Sequence, residues 1–191
     1  MTLKRSPSLT ENPTCLNRRH FLKLTAFTAA GLIAGPALAK IGPLRQRPLS
    51  FYNTHTGESL RTNYWARGRY VPEGLEEISY ILRDHRTDEV KAIDPRLLDM
   101  LYALQTKLGS RQAFHIISGY HSPATNAALH ANSSGVASHS LHMDGMAADI
   151  FLPDRSLHTL REAALSLERG GVGYYPQSNF VHVDVGRVRN W

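Results

Sequence analysis

Cysteine is the residue that this sequence most nearly lacks. The only cysteine among the 191 residues is Cys15. A single cysteine cannot form an internal disulfide. Because Cys15 lies within the first 39 residues, which precede the predicted domain, that domain has no thiolate for a zinc site or a catalytic centre. Any metal ion in the folded domain must therefore be held by histidine and carboxylate side chains.

Long hydrophobic runs and a strong excess of one charge are also missing. The longest moderately apolar stretch, residues 24–38, contains Gly31, Gly35 and Pro36 and is too short to span a bilayer as a stable helix. No dense Lys/Arg stripe with interleaved aromatics is present, so nucleic acid is a poor candidate partner. With 42% hydrophobic and 20% charged residues, the composition is that of one globular domain.

Residues 1–39 have the features of a cleavable export signal. Arg18-Arg19, one further residue and then Phe-Leu-Lys resemble a twin-arginine signal. The apolar stretch at 24–38 is typical of the hydrophobic region of such a signal, and Ala37-Leu38-Ala39 is a small-x-small cleavage site. We therefore predict a signal at 1–39, a loose leader at 40–48 and one domain at 49–191, exported by the twin-arginine machinery to the periplasm without a stable membrane anchor. The alternative, a basic arm on a cytosolic protein, would make all three features accidental.

Most of the positive charge belongs to this signal. It holds five of the 22 Lys and Arg residues and one of the 16 Asp and Glu residues, which leaves 17 basic and 15 acidic residues in the mature part. A net charge near +2 gives no strongly basic surface for binding nucleic acid, although a slight positive charge suits an anionic wall polymer.

Strand and helix patterns alternate along the remaining sequence. Strands are predicted at 49–54, 58–66, 113–119, 146–152 and 179–185, and helices at 72–85, 95–108, 123–131 and 157–169. The second helix has the clearest signals, because Asp94-Pro95 begins it, a leucine stripe follows and Gly109 ends it. Gly170 to Gly173 is interpreted as a helix stop and a tight turn. The order predicts a single α+β domain with a central antiparallel sheet flanked by helices.

Two histidines and one aspartate are candidates for a metal site. His142 and Asp149 are seven residues apart, and a bend at Gly145 would let the first fold back over a strand that carries the second. His182, on the last predicted strand with Asp184 on the same face, can supply a third ligand. Three protein ligands with an open fourth position are what a catalytic zinc site needs.

The same residues carry a resemblance to a known family. The matching pattern is Ser-x-His-x-x-Gly-x-Ala-x-Asp at 140–149 followed by a distant histidine, with further matches at 118–120, 170–176 and 179–184. This pattern resembles the D-alanyl-D-alanine carboxypeptidase and endopeptidase family, whose fold is shared with lysostaphin-type peptidases and the hedgehog signalling domain. The resemblance implies one Zn²⁺ per chain, with His142, Asp149 and His182 as ligands and a water that attacks the scissile carbonyl.

The resemblance also assigns roles around the metal. Related peptidases carry an acid or histidine two or three residues before the last ligand, where this chain has Phe180 and Asn179. Asp184 is then either the general base or a carboxylate that orients an imidazole. Many members have an arginine that stabilises the oxyanion at the position of His121, which could replace it when protonated. Predicted substrate or cleft residues are Ser118, Tyr120, Ser140 and Tyr174.

The function implied by the resemblance is hydrolysis of peptide cross-links in peptidoglycan. Together with the export signal, the pattern is closest to family members that cleave between diaminopimelate residues. Two alternatives stay open: a D,D- or L,D-carboxypeptidase acting on murein peptides, and a non-hydrolytic wall-binding module that keeps the zinc. A serine-hydrolase mechanism is rejected, because the sequence has no Gly-x-Ser-x-Gly motif.

Overall fold

A mixed sheet forms the centre of the structure. The computed structural model describes residues 46–132 and 139–191, which belong to one compact unit. In these residues eight strands form one sheet in the order β3-β2-β1-β4-β5-β7-β6-β8. The strands are β1 (Gln46–Asn53), β2 (Ser59–Ala66), β3 (Arg69–Tyr70), β4 (Phe114–Ser118), β5 (Ala147–Phe151), β6 (Gly171–Tyr175), β7 (Phe180–Asp184) and β8 (Arg189–Asn190). The predicted export signal at 1–39 lies outside the described residues.

Four α-helices and two short 3₁₀ helices connect the described strands. The α-helices are α1 (Pro72–Ile81), α2 (Pro95–Leu108), α3 (Pro123–Asn132) and α4 (Leu157–Leu165), and the 3₁₀ helices are Leu141–Asp144 and Pro176–Ser178. Strand pairs are antiparallel except β1 with β4 and β6 with β8. The β1–β4 pair is parallel, because the connection between them runs through β2, β3, α1 and α2 and is a crossover rather than a hairpin. The predicted α+β domain with a mainly antiparallel sheet is confirmed.

The hydrophobic core lies between α1, α2, α4 and one face of the sheet. Helix α2 contributes five fully buried side chains, Leu97, Leu98, Met100, Leu101 and Leu104. On the central strands the core side chains alternate with others, so that Ala148 and Ile150 of β5 are buried in the core cluster while Asp149 points to the opposite face. No helix in the described part of the chain is long and apolar enough to cross a membrane.

Helix α2 has the bounds that its capping residues predict. The side chain of Asp94 accepts a hydrogen bond from the amide of Arg96 at 2.8 Å, and Pro95 takes the first helical position, where it needs no hydrogen-bond partner. Gly109 ends the helix with a φ of 59°, a left-handed conformation that glycine adopts without a steric penalty.

Three boundaries differ from the prediction by three residues or more. Helix α1 ends at Ile81 instead of residue 85, because the Asp84 side chain accepts from the amides of Arg86 and Ser122 and folds the chain into a turn. Helix α4 ends at Leu165, five residues before Gly170. Strand β1 begins at Gln46, within the segment that was predicted to be a loose leader.

The segment after α4 is a strand, and the predicted tight turn at Gly170 to Gly173 is wrong. A Cβ at Gly171 would lie 2.3 Å from Oδ2 of Asp184, and one at Gly173 would lie 2.7 Å from the indole of Trp191. These glycines therefore leave space on a strand for neighbouring side chains, which is a recognised use of glycine within sheets.

Candidate metal centre

Three candidate ligands converge on the face of the sheet away from the core. Nδ1 of His182 is 2.9 Å from Oδ1 of Asp149 and 3.1 Å from Nε2 of His142, and Nε2 of His142 is 3.4 Å from the same Oδ1. The edges of a tetrahedron with metal–ligand bonds of about 2.0–2.1 Å are about 3.3 Å long. The triangle of donor atoms therefore has the size of one face of a tetrahedral metal site, and these three residues could hold a metal ion.

The register of the sheet brings two of these ligands together. Asp149 of β5 pairs with His182 of β7, and Ser118 of β4 pairs with Asp149 on the other side. Between Ile116 and Ser118 the register of β4 shifts by one residue. This irregularity brings Ser118 rather than Ile117 opposite Asp149, as β-bulges near functional sites commonly do.

The third candidate ligand, His142, lies in the 3₁₀ helix that precedes β5. Ser140 caps this helix by accepting from the amide of His142 at 3.3 Å, and Gly145 ends it with a φ of 68°. A Cβ at Gly145 would lie 2.5 Å from the carbonyl oxygen of Ala92, so both conformation and space favour glycine. The predicted bend at Gly145 is confirmed, and it folds His142 back towards Asp149.

Hydrogen bonds on the outer nitrogens fix both imidazole rings. Nδ1 of His142 is 2.6 Å from the carbonyl oxygen of Gly119, which can only accept, so this nitrogen carries the hydrogen. Nε2 of His182 likewise donates to Oδ2 of Asp184 at 3.1 Å. The inner nitrogens can then present lone pairs to a cation, the arrangement typical of metal-binding histidines.

The electrostatics of the cluster favour a positive charge at its centre. Burial opposes a charged imidazole at His182, but the carboxylates of Asp149 and Asp184 outweigh it and raise its pKa to about 9. Burial also opposes ionisation of Asp149, yet His142 and His182 hold the pKa of this carboxyl well below its usual range. Two nitrogens and one carboxylate oxygen, mostly shielded from solvent, are a donor set suited to a divalent cation.

Asp184 is completely buried and its carboxylate is fully engaged. Oδ2 accepts from His182 and from Arg189 at 2.7 Å, while Oδ1 accepts from the amides of Gly171 and Gly186 and again from Arg189. Burial raises its pKa, but these donors outweigh that effect and hold the pKa well below its usual range. The carboxylate is therefore ionised and held rigidly behind His182.

His121 lies beside the cluster but not in the form that the sequence suggested. Its ring stacks on His142 with centroids 4.6 Å apart, and its Nε2 contacts Oγ of Ser118. Burial, and then the nearby His142, lower the pKa of His121 to about 4. An imidazole with this pKa is neutral near pH 7, which does not favour the role that the resemblance suggested for a protonated His121 in place of the arginine.

The structure separates the predicted substrate residues. Ser140 caps the helix of His142, and Tyr120 is buried with 8% of its surface exposed. Tyr174 pairs with Val181, whose side chain is in the core, and Tyr174 packs against that core beside Arg161 of α4. It lies on the opposite face of the sheet from His182, so the predicted contact between Tyr174 and substrate is wrong.

Sequence reasoning missed two residues close to the cluster. Arg189 holds Asp184, and the ring of Trp191 lies 5.2 Å from that of His182, centroid to centroid. Both belong to the last segment of the sequence, where the two-residue strand β8 is too short to show a periodic pattern.

A family model and two relatives similar to this chain share one name. A family model described as "Peptidoglycan L,D-endopeptidase MepK" matches residues 43–191. The chain is 44% identical over 176 residues to the protein of that name from Escherichia coli, covering 92% of this chain and 97% of the relative. It is 39% identical over 177 residues to the "Probable peptidoglycan L,D-endopeptidase MepK" of Haemophilus influenzae, covering 92% of this chain and 95% of the relative. No solved structure matches the chain significantly.

Proposed function

Because the chain belongs to the peptidoglycan L,D-endopeptidase MepK family, we propose that it is a hydrolase that cleaves peptide cross-links of peptidoglycan. The names of its relatives favour an L,D bond as the target. Between cross-linked stems, this is the bond that joins two diaminopimelate residues. The sequence alone leaves L,D and D,D specificity open, and the printed names of the relatives support the choice of L,D in this proposal.

The observation that carries this proposal is the His142–Asp149–His182 triangle. Two imidazoles and one carboxylate form the same kind of set as the His₂Glu ligands of catalytic zinc sites, and tetrahedral coordination leaves a fourth position for water or substrate. We propose these residues as the ligands of one Zn²⁺ per chain. A zinc ion held by these residues would supply Lewis-acid chemistry, because it would polarise the scissile carbonyl and would lower the pKa of water at the site.

Asp184 acts, in this proposal, by positioning His182 and not as the general base. A general base must reach the proton that it abstracts. Asp184 is fully buried, and five hydrogen bonds from the chain occupy its two oxygens. A carboxylate that accepts from the outer nitrogen of a ligand imidazole fixes the orientation of that ring and raises the basicity of its inner nitrogen.

His121 and the two serines have supporting roles. The neutral His121 ring packs on His142 and restricts its rotation, while Ser118 contacts Nε2 of His121. Ser140 holds the first turn of the helix that carries His142. None of these three side chains is proposed to form a covalent intermediate.

The site of action follows from the substrate. Peptidoglycan lies outside the cytoplasmic membrane, so an endopeptidase acting on it must be exported. The sequence pattern at 1–39 supports the twin-arginine route to the periplasm. Expression of the full chain with Arg18 and Arg19 both replaced by lysine, followed by fractionation, tests this route: loss of periplasmic protein is the expected result.

Digestion of purified muropeptides tests the activity. The mature protein with zinc should convert dimers cross-linked between diaminopimelate residues into monomers, and the product masses identify the bond. His142→Ala should abolish the reaction, while replacing the exposed Asp144 by Asn should leave it intact. Release of single terminal residues would favour the carboxypeptidase alternative, and binding without cleavage would favour the wall-binding module.

A further inference from the structure

An exposed aromatic side chain lies directly beside the candidate metal centre. The indole of Trp191 is 5.2 Å from the imidazole of His182, centroid to centroid, and 49% of the residue is exposed. A large aromatic group half open to solvent beside a buried polar cluster is a typical feature of binding sites rather than of a core.

Several contacts fix the position of this indole. Its Nε1 donates to the hydroxyl of Tyr175 at 2.7 Å, and the guanidinium of Arg189 lies 4.8 Å from its ring centroid. The backbone of Trp191 donates to Val172 and accepts from the amide of Tyr174, independently of its side chain. The ring is therefore held in one orientation although half of the residue faces solvent.

Gly173 provides the space in which the indole lies. It pairs with His182 on β7, and a Cβ there would lie 2.7 to 2.8 Å from three atoms of the Trp191 ring. Only a glycine at this register position lets the ring lie against the sheet next to His182.

Two further aromatic rings lie on the same face of the sheet as the indole of Trp191. Tyr175 and Phe180 pair across β6 and β7 and stack with centroids 4.6 Å apart, and both are partly exposed. Phe180 lies two residues before His182 on the same strand and therefore on the same face. Trp191, Tyr175 and Phe180 together form what we call the aromatic wall.

We propose that the aromatic wall is a substrate subsite that binds the aliphatic chain of the diaminopimelate residue beside the scissile bond. This inference rests on the proposed function, and it identifies the residues that recognise the substrate there. Diaminopimelate offers a run of methylene groups between its polar ends, which suits the face of an indole while the ends stay solvated. Because the wall contacts a metal ligand, its occupant must lie close to the bond that is cut, which favours the peptide over the glycan.

Trp191→Ala tests the subsite without removing its backbone contacts. Two or three methylene groups that lie against one face of the ring are only partly buried, which predicts a rise in KM of about tenfold. The value of kcat should change by less than about twofold. Zinc content should equal that of the wild type. Val188→Ala is the matched control, because Val188 is 62% exposed in the same segment and belongs to no part of the proposed site.

Gly173→Ala provides a second variant that keeps the indole but displaces it. It should raise KM in the same direction as Trp191→Ala. A direct binding measurement is also available, since Trp65 and Trp191 are the only tryptophans in the sequence. In a Trp65→Phe, His142→Ala background, the emission of Trp191 should change when an intact cross-linked peptide is added.

The substrates distinguish the peptide from the glycan as the occupant. Each variant, Trp191→Ala or Gly173→Ala, should raise KM by the same factor for cross-linked peptides that carry their disaccharides and for those that lack them. An unchanged KM, an effect confined to the disaccharide-bearing form, or a loss of zinc together with kcat would each overturn the subsite. If the wild type cleaves no cross-linked peptide at all, the proposed function itself is wrong.

Discussion

Asp149 and His182 lie directly opposite each other on the antiparallel strands β5 and β7, with Oδ1 and Nδ1 2.9 Å apart. Adjacent strands fix the spacing of paired side chains, so this half of the candidate metal centre is set by the sheet itself. The other half depends on the 3₁₀ helix that carries His142. Two of the candidate ligands therefore lie on the sheet, and the third lies on a connecting segment.

Asp149→Asn should strongly weaken zinc binding. The substitution keeps the shape of the side chain but removes the negative charge that two buried imidazoles surround. Loss of an outer hydrogen-bond partner typically costs 10–100-fold in affinity, so loss of a ligand charge should cost about 100-fold or more. Zinc content after dialysis against a competing chelator measures the effect.

The exposed Asp144 in the preceding 3₁₀ helix supplies the control for that experiment. Asp144→Asn changes the net charge by the same amount, close in sequence to His142, and should retain full zinc. Equal zinc retention by both variants would exclude Asp149 as a ligand.

Asp184→Asn separates positioning from proton transfer. If Asp184 orients His182, the variant should bind zinc 10–100-fold more weakly and recover much of its kcat when zinc is saturating. If Asp184 were the general base, zinc affinity would stay close to that of the wild type and kcat would remain low at any zinc concentration. Zinc titration followed by muropeptide digestion distinguishes these results.

The sequence predicts the parts of this centre that depend on local pattern. The three ligand candidates, the bend at Gly145 and the shared face of His182 and Asp184 follow from residue type and from the two-residue period of a strand. The caps of α2 follow in the same way from Asp94 and Gly109. Each of these features can be recognised from residue type, from local spacing or from the period of a single strand or helix.

The features that sequence reasoning missed depend on contacts between distant segments. Gly171 and Gly173 look like turn residues until the side chains of Asp184 and Trp191 are placed above them. Tyr174 can be assigned to a face only when its partner Val181 on β7 is known. The pKa of His121 likewise depends on burial, which the sequence does not reveal.

Asp84 should make the free energy of unfolding depend on pH in the acid range. Burial raises its pKa, but hydrogen bonds from Thr125, Ser122 and Arg86 outweigh that and hold the pKa well below its usual range. An unfolded aspartate has a pKa of about 3.9, so this stabilisation is complete above that pH. It is lost as the pH falls from there through the folded pKa, because the unfolded chain takes up the proton first.

Asp84→Asn should therefore destabilise the protein by about 2–3 kcal/mol at pH 7, and the difference from the wild type should shrink as the pH approaches 2. Urea unfolding at several pH values measures it. Asp88→Asn is the control, because the Asp88 side chain is 81% exposed and pairs only with Arg83 at 3.2 Å among the described contacts. A pH-independent difference for Asp84→Asn would contradict the linkage.

Gly145→Ala should destabilise both the fold and the metal centre. At a φ of 68° an alanine costs about 1–2 kcal/mol, and its Cβ would also lie 2.5 Å from the carbonyl oxygen of Ala92. Gly57 offers a matched control, since its φ is 74° but nothing lies within 4 Å of a Cβ there. Gly57→Ala should therefore show the conformational cost alone in urea unfolding, and Gly145→Ala should exceed it by at least about 1 kcal/mol.

The excess cost at Gly145 should also appear in zinc affinity, because the bend at this residue sets the position of His142 relative to Asp149. Moving the backbone away from Ala92 turns the 3₁₀ helix and displaces a ligand whose donor atom must lie about 2 Å from the metal. Gly145→Ala should therefore release zinc to a chelator at concentrations where Gly57→Ala retains it. Equal unfolding free energies and equal zinc retention in the two variants would mean that the close approach to Ala92 does not position His142.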